Sequence, residues 1–442
     1  MSEASALPSD AVLVHIGPYK TGTTTIQSAL FAAKPRLAEH GVVYPGKWRR
    51  IVSAGYSVMR WSPRGRTIPG PEMWDGFAAR MRARTDERVC ISTEDFSRIS
   101  SSETAGKIVR DLGSDRVHVL YVARSFDRLL PSAWQERVKG HDEREYEEWL
   151  HSVLPAPKAK KDAAYRAFWR PHDLEAKAKV WLPHVGRDRF HVLIADDSDH
   201  DHLLRRFEEL LGLPHYFLEQ QSSDNESLSV VRLEVLRRLN RRFREEEWPD
   251  LLYYQLIQSG LIRGLQSAPR TDVDLRPPAL PSWAVDRVRA RSDERIAAIE
   301  RLGLSVIGDP ERLRLPADYR AADVHRRAEE LVPTDAVVEG VSAMITAVLR
   351  RDAEQQPKPT DSGLSPQLTG IPSRTMLAEI VRRQRRRVRR IARRARRARR
   401  RRTSLHPTTI RTDRQRHEDD QQDSHPAESP QDVAAGCSAG EE

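Results

Sequence analysis

Between His15 and Thr25 the chain reads His-Ile-Gly-Pro-Tyr-Lys-Thr-Gly-Thr-Thr-Thr: two glycines and one lysine, closed by three consecutive threonines. An apolar run, Ala11–Ile16, leads in, and a helix is predicted from about Thr24 to Glu39, broken near Lys34-Pro35. A short turn between a buried strand and a helix aims backbone N–H groups at an anion, and the helix N-terminus adds the positive end of its dipole. Lys20 adds a mobile charge, and Thr21, Thr23 and Thr24 add hydroxyls. The chemistry implied is phosphate binding. The bland alternative is an ordinary strand–turn–helix connection with a solvent-exposed lysine, against which the density of Gly and Thr where the helix opens argues.

A nucleoside-triphosphate loop reads G-x-x-x-x-G-K-[ST], with its lysine on the β/γ-phosphates and the next hydroxyl on magnesium. Gly17 and Gly22 have that separation, but Thr23 stands where the lysine belongs and Lys20 lies inside the loop. The lysine must therefore reach a different ligand atom. A second pair lies further on. The apolar run Val117–Val122 ends in Ala123-Arg124, and Ser132 follows eight residues later in Pro131-Ser132-Ala133-Trp134. Arginine offers planar, permanently charged recognition of a phosphate, and serine adds a neutral donor. By itself such a pair could equally be a cap or a surface contact.

The elements that position these residues read as α/β. Val89–Ile91, Val117–Val122 and Phe190–Ile194 join Ala11–Ile16 as apolar runs suited to strands buried on both faces, and Ser305–Asp309 is a candidate for one more. A helix from Asp173 to about Trp181 precedes the fourth run. Alternating strands and helices predict a doubly wound parallel sheet of P-loop type, with ligands at the strand C-terminal ends. Beyond Asn225 the pattern turns helical: Leu228, Val231, Val235, Leu239 and Phe243 recur at helical spacing, and helices are predicted near Trp283–Leu302 and Asp335–Arg350.

The first loop resembles that of sulfotransferases using 3′-phosphoadenosine 5′-phosphosulfate (PAPS), which reads P-x-K-[ST]-G-T-T and is matched by Pro18-Tyr19-Lys20-Thr21-Gly22-Thr23-Thr24. The resemblance implies that this loop, through Lys20, Thr21, Gly22, Thr23 and Thr24, holds the 5′-phosphosulfate, with Lys20 at the oxygen bridging phosphorus and sulfur. It also implies that Arg124 and Ser132, at the family's spacing, hold the 3′-phosphate. Thr25 stands where cytosolic members place an aromatic residue against adenine, which leaves the adenine contact unassigned. The basic R-K-G run of those members is not evident. The motifs cover Ala11 to Lys139, and a looser similarity to bacterial members extends to about Arg350. No metal is expected.

Sulfuryl transfer needs a group to take the acceptor's proton. Glu94, in Ile91-Ser92-Thr93-Glu94-Asp95-Phe96, directly follows the second apolar run, and the heparan sulfate branch of the family uses a glutamate after the corresponding strand. The alternative is that Glu94 or Asp95 caps the following turn. Cytosolic members use histidine instead. Here His15, His118 and His191 fall inside strands and read as structural, while His141 fits a rim loop or an exposed position equally well. Asn225-Glu226-Ser227-Leu228-Ser229, similar to a segment of bacterial members, reads as a helix N-cap.

The chain has 442 residues and a net charge of +10, with 38% hydrophobic and 31% charged residues. That is enough apolar material for a sizeable core. Between Arg382 and Arg402 stand 15 arginines and no acidic residue, so the rest carries 10 − 15 = −5 and the basicity is local. The organisation predicted is a sulfotransferase-like domain over 1–350, a Pro/Gln/Ser/Thr-rich linker over 351–375, an arginine-rich amphipathic helix over 376–402 and a disordered acidic tail over 403–442. Leu377, Val381, Gln384, Val388, Ile391, Ala395 and Ala398 form a narrow stripe on that helix. Its candidate partners are an anionic membrane surface, which ranks first, or nonspecific nucleic acid; a coiled coil is disfavoured by arginine repulsion. Two cysteines, Cys90 and Cys437, and a polar N-terminus without an apolar core predict a cytoplasmic protein, peripheral at the inner membrane face if the arginine helix binds there. The acceptor expected is a hydroxyl or amine of a glycan, a lipid or a small metabolite, and which of these it is cannot be read from the residues. A P-loop nucleotide-dependent kinase and a non-catalytic protein acting through the arginine segment are the competing functions.

Overall fold

A computed structural model describes residues 6–321, except 48, 64–66, 157–158, 160, 222–227, 246, 248–249, 251–252 and 268–277, together with Val337, Gly340 and Met344. All of these belong to the first of two compact units, Met1–Pro359; the second is Thr360–Glu442. The predicted linker, arginine helix and acidic tail, the segment 225–227, and all but Val337, Gly340 and Met344 of the predicted helix over 335–350 lie outside the described residues.

Six parallel strands form one sheet in the order β2-β3-β1-β4-β5-β6. They are β1 (Val12–His15), β2 (Val42–Val43), β3 (Arg88–Ser92), β4 (Val117–Ala123), β5 (Phe190–Ile194) and β6 (Ser305–Ile307). Every residue of β1, β4 and β5 is buried, as near-continuous apolar runs require when both faces of a sheet are covered. On one face Val12, Val14, Ile91, Val119 and Tyr121 meet Ala105, Ile108, Val109 and Leu112 of helix α4 (Ser102–Leu112) and Ala178 and Trp181 of α8 (Leu174–Val185). On the other, Leu13, Cys90, Leu120, Val122 and Leu193 meet Ile26, Ala29 and Leu30 of α1 (Thr23–Leu37) and Phe207 and Leu210 of α9 (His202–Leu211). The helix after β1 and the helix after β3 thus lie on opposite faces. A crevice opens at such a switch, at the carboxyl ends of β1, β3 and β4.

A second core is built mainly from helices. It joins Phe126, Leu130 and Trp134 of α5 (Phe126–Lys139) to Trp149 of α6 (Tyr146–Val153), Phe168 of α7 (Ala163–His172), Leu233 and Phe243 of α10 (Val230–Glu245), and Ile257 of a π-helix (Tyr253–Leu261). It also takes in Ala284 and Val288 of the long helix Ser282–Leu302. Two expectations are corrected. The break near Lys34-Pro35 is absent, because Pro35 sits in the last turn of α1, where one lost amide bond is tolerated, and the helix runs to Leu37 before a 3₁₀ turn and Gly41 at φ 65° end it. His141, in the loop just after α5, is not exposed: it is half-buried, its ring stacks on Tyr253 at 4.0 Å and it meets Phe243 edge-on. The predicted cap before α10 is made by Ser229, whose Oγ accepts from the Arg232 amide at 3.3 Å.

Ile26 is fully buried in the first turn of α1, against the sheet and directly behind the loop. Truncating a buried isoleucine to alanine costs about 2–5 kcal/mol. Ile26→Ala is expected to lower the urea unfolding free energy by that amount; a loss below about 1 kcal/mol would show that α1 is not anchored through this side chain.

Candidate active site

The ladder between β1 and β4 does not stop at His15. The Ile16 amide donates to Leu120 O at 3.0 Å and the Val122 amide to Gly17 O at 2.8 Å, while on the other side the Thr93 amide donates to His15 O at 3.0 Å. Gly17 then turns with φ 84°, and a Cβ placed on it would lie 3.0 Å from both Cα and Cβ of Glu94. Glycine is therefore what allows the loop and the Glu94 backbone to touch.

Lys20 (φ 67°) and Gly22 (φ 87°) adopt left-handed backbone, and α1 begins at Thr23 with no side-chain cap and no acidic residue in its first turn. Among the described residues the amides from Tyr19 to Thr25 make no hydrogen bond, and the first to do so is that of Ile26, to Gly22 O at 3.2 Å. A run of unspent amides at a helix N-terminus is an anion cradle. Thr21 is spent otherwise: its hydroxyl donates to Pro18 O at 2.6 Å and it is 1% exposed, so it braces the loop and offers an anion its amide. Thr23 is buried and Thr24 half-buried in the first turn.

Lys20 and Arg124 each face a carboxylate at this loop. Lys20 Nζ lies 3.5 Å from Glu136 Oε2. Arg124, one residue past β4, donates from Nη1 to Lys20 O at 3.0 Å and grips Asp197 through Nε, at 2.9 and 3.0 Å, and through Nη2. Ser132 lies on α5 exactly one turn before Glu136 and therefore on the same face. Lys139, three residues beyond Glu136, is buried; desolvation lowers its pKa, with Lys20 adding to that and Glu136 opposing it. Lys139 goes unremarked in the sequence reading, although Ser132, Glu136 and Lys139 recur at the i, i+4, i+7 spacing of one helical face.

Glu94 opens a 3₁₀ turn, Glu94–Arg98, and its carboxylate is held from two sides: Gln27 Nε2 of α1 donates to Oε2 at 2.8 Å and Arg50 Nη1 to Oε1 at 2.6 Å. Arg50 also reaches Asp95 Oδ2 at 3.2 Å. Burial acts to lower the Arg50 pKa, but Glu94 and Asp95 outweigh it and raise it, while burial, aided by Glu94, raises that of Asp95. Neither Gln27 nor Arg50 is singled out by sequence. Gln27 could have been, four residues after Thr23 on one helical face; Arg50, in a loop, leaves no signal.

The strand histidines serve the scaffold. His15 is fully buried, with Nδ1 2.8 Å from Ser92 Oγ and its ring edge-on to Phe207, and burial holds its pKa down to about 3. His118 and His191 stack on each other across β4 and β5, Nδ1 to Nε2 3.0 Å, both lowered to about 4, chiefly by burial. Among the described residues no group of three or more His, Cys, Asp or Glu side chains is placed to share a metal ion, and no helix is long and apolar enough to cross a membrane.

These histidines give a pH dependence with a definite sign. A histidine whose folded pKa is depressed binds fewer protons in the native state than in the unfolded chain, so its stabilisation is present above about pH 6.5 and is lost as pH falls. Folding stability is expected to drop steadily from pH 6.5 toward pH 4, and His15→Gln should flatten that slope. A thermal-unfolding series that is level between pH 7 and 5 would contradict the burial of neutral histidines in the sheet.

Comparison with protein-family models gives no match, and comparison with curated protein sequences gives none either. Among solved structures, a sulfotransferase from Alicyclobacillus acidocaldarius aligns at 17% identity and a TM-score of 0.30, over 56% of this chain and 94% of that one. At that level the likeness adds nothing to what the strand order already shows.

Proposed function

We propose that this protein is a sulfotransferase that moves a sulfuryl group from PAPS to a hydroxyl or amine of an acceptor. The observation that carries the reading is the loop itself: seven unspent amides, an inward lysine in place of one after Gly22, and Arg124 bonded to the Lys20 carbonyl. Its P-x-K-[ST]-G-T-T sequence, Pro18 to Thr24, supports the same donor. The kinase alternative lacks the lysine after Gly22 that would serve a β/γ-phosphate pair.

In this reading the amides of residues 19–25 bind the 5′-phosphosulfate and Arg124, with Ser132, binds the 3′-phosphate. Glu94, fixed by Gln27 and Arg50 against Gly17, takes the acceptor's proton. The acceptor oxygen bonds to sulfur as the bond from sulfur to the bridging oxygen breaks. The electron pair stays on that oxygen, and Lys20, leaving Glu136, neutralises it on adenosine 3′,5′-bisphosphate. Lys20 thus acts mainly in the transition state and Glu94 on the acceptor.

Labelled PAPS and an extract of source-cell metabolites test the activity. Lys20→Ala is expected to cost about 10²–10³-fold in turnover with little change in donor affinity. Glu94→Gln should cost about 10²–10⁴-fold. Near-normal turnover in Lys20→Ala would remove its role, and an active Glu94→Gln would remove that of the base.

The Arg124–Asp197 pair makes a separate prediction. Asp197 occupies the guanidinium that the 3′-phosphate needs, so Asp197→Asn should tighten adenosine 3′,5′-bisphosphate several-fold and leave 5′-AMP unchanged. Weaker bisphosphate binding in calorimetry would instead make Asp197 a support for Arg124.

A further inference from the structure

Tyr19, the residue before Lys20 in the donor loop, lies under Arg98, whose guanidinium carbon is 5.8 Å from the centre of its ring. Arg98 also stacks over the indole of Trp61 at 5.4 Å. Trp61 and Arg98 line a cavity of about 180 Å³ together with Arg170 and the hydroxyl residues Ser100, Ser101 and Thr104. The electrostatics of this cavity differ from those of the donor loop. Lys20, Arg124 and Arg50 each face a carboxylate, whereas among the described residues the guanidinium groups of Arg98 and Arg170 make no ion pair and no hydrogen bond. The carboxylate that feels Arg98 is Asp95, and it is already bound by Arg50 at 3.2 Å. Two unpaired guanidinium groups on one cavity recognise an oxyanion. The indole, 38% exposed, adds a flat apolar surface for a ring, and the hydroxyls add neutral donors.

The cavity is also placed to serve the reaction. Arg98 ends the 3₁₀ turn that Glu94 begins, so four residues at about 2 Å rise set the two roughly 8 Å apart along that turn. The volume is well below the roughly 300–1,000 Å³ of pockets that engulf whole drug-sized ligands, so it takes one small group. Resting on the sulfotransferase reading, we infer that this cavity is the acceptor-selecting subsite, and that the acceptor is a ring-bearing molecule carrying a carboxylate or other oxyanion on the order of 8 Å from the hydroxyl to be sulfated. Arg98 and Arg170 bind the oxyanion, Trp61 packs on the ring, and the hydroxyl points back toward Glu94.

The test uses the full chain and a matched pair of probes, 3-(4-hydroxyphenyl)propionate and its neutral analogue 3-(4-hydroxyphenyl)propanol, titrated by ligand-observed NMR with and without adenosine 3′,5′-bisphosphate. The carboxylate is expected to bind at least tenfold tighter than the alcohol. Arg98→Gln and Arg170→Gln should each abolish that preference while bisphosphate affinity stays normal, and Trp61→Ala should weaken both probes alike. Equal binding of the two probes, no binding of either, or a preference that survives both arginine variants would overturn the assignment. The readout is independent of the donor: if the carboxylate preference holds but the bisphosphate does not bind, the cavity is an oxyanion site and its acceptor role falls with the sulfotransferase reading.

Discussion

Two backbone hydrogen bonds at the carboxyl end of β1, from the Thr93 amide to His15 O and from the Val122 amide to Gly17 O, hold the start of the loop between β3 and β4 and so place the residues that follow those strands. They continue the parallel ladder into the loop on both sides, so the loop cannot move independently of β3 or β4. The consequences follow in sequence. Glu94 comes one residue after Thr93 and rests against Gly17; Arg124 comes two after Val122 and bonds to the Lys20 carbonyl. Beneath them His15 is locked between Ser92 and Phe207, and burial keeps it neutral. A loop so tethered keeps its amides in place before a ligand arrives, which is the preorganisation that electrostatic stabilisation requires.

In the proposed reading, the ion pairs of the site are the ones an entering phosphate ester would exchange. Lys20 pairs with Glu136, Arg124 with Asp197 and Arg50 with Glu94. Partly exposed pairs of this kind are worth about 0–1 kcal/mol, and charge-assisted bonds to a phosphate are stronger. Exchanging Glu136 and Asp197 for a multiply charged phosphate ester therefore costs little. The Arg50–Glu94 pair is different in kind, because Gln27 and Asp95 join it and hold the carboxylate in one orientation. Among the described residues the guanidinium groups of Arg98 and Arg170 have no carboxylate to exchange, which sets their cavity apart from the loop after β1.

Sequence reveals the strongest local patterns. The strands β1, β3, β4 and β5 are legible because runs such as Val117-His118-Val119-Leu120-Tyr121-Val122 are apolar enough for a sheet covered on both faces, and the loop is legible because glycines, lysine and threonines fall within a few residues. Strand β2 is two residues long and carries no pattern. Helix α4 goes unassigned although Ala105, Ile108, Val109 and Leu112 have helical spacing, since its polar residues mask the stripe. The partners of the site are a harder matter. Asp197 is 73 residues from Arg124, Gln27 is 67 from Glu94 and Arg50 is 44 from it, so nothing short of the fold brings them together. Pro35 misled for the opposite reason: a local rule against proline in helices was applied to a last turn that tolerates it.

The central claim is that the cradle and Arg124 together recognise an adenosine carrying phosphate on both its 5′ and 3′ positions. Isothermal titration calorimetry of the full chain with adenosine 3′,5′-bisphosphate and with 5′-AMP tests it most directly. The bisphosphate is expected to bind at least tenfold tighter, and Arg124→Ala to bring it down to the affinity of 5′-AMP. Equal affinity of the wild-type protein for the two nucleotides would contradict it.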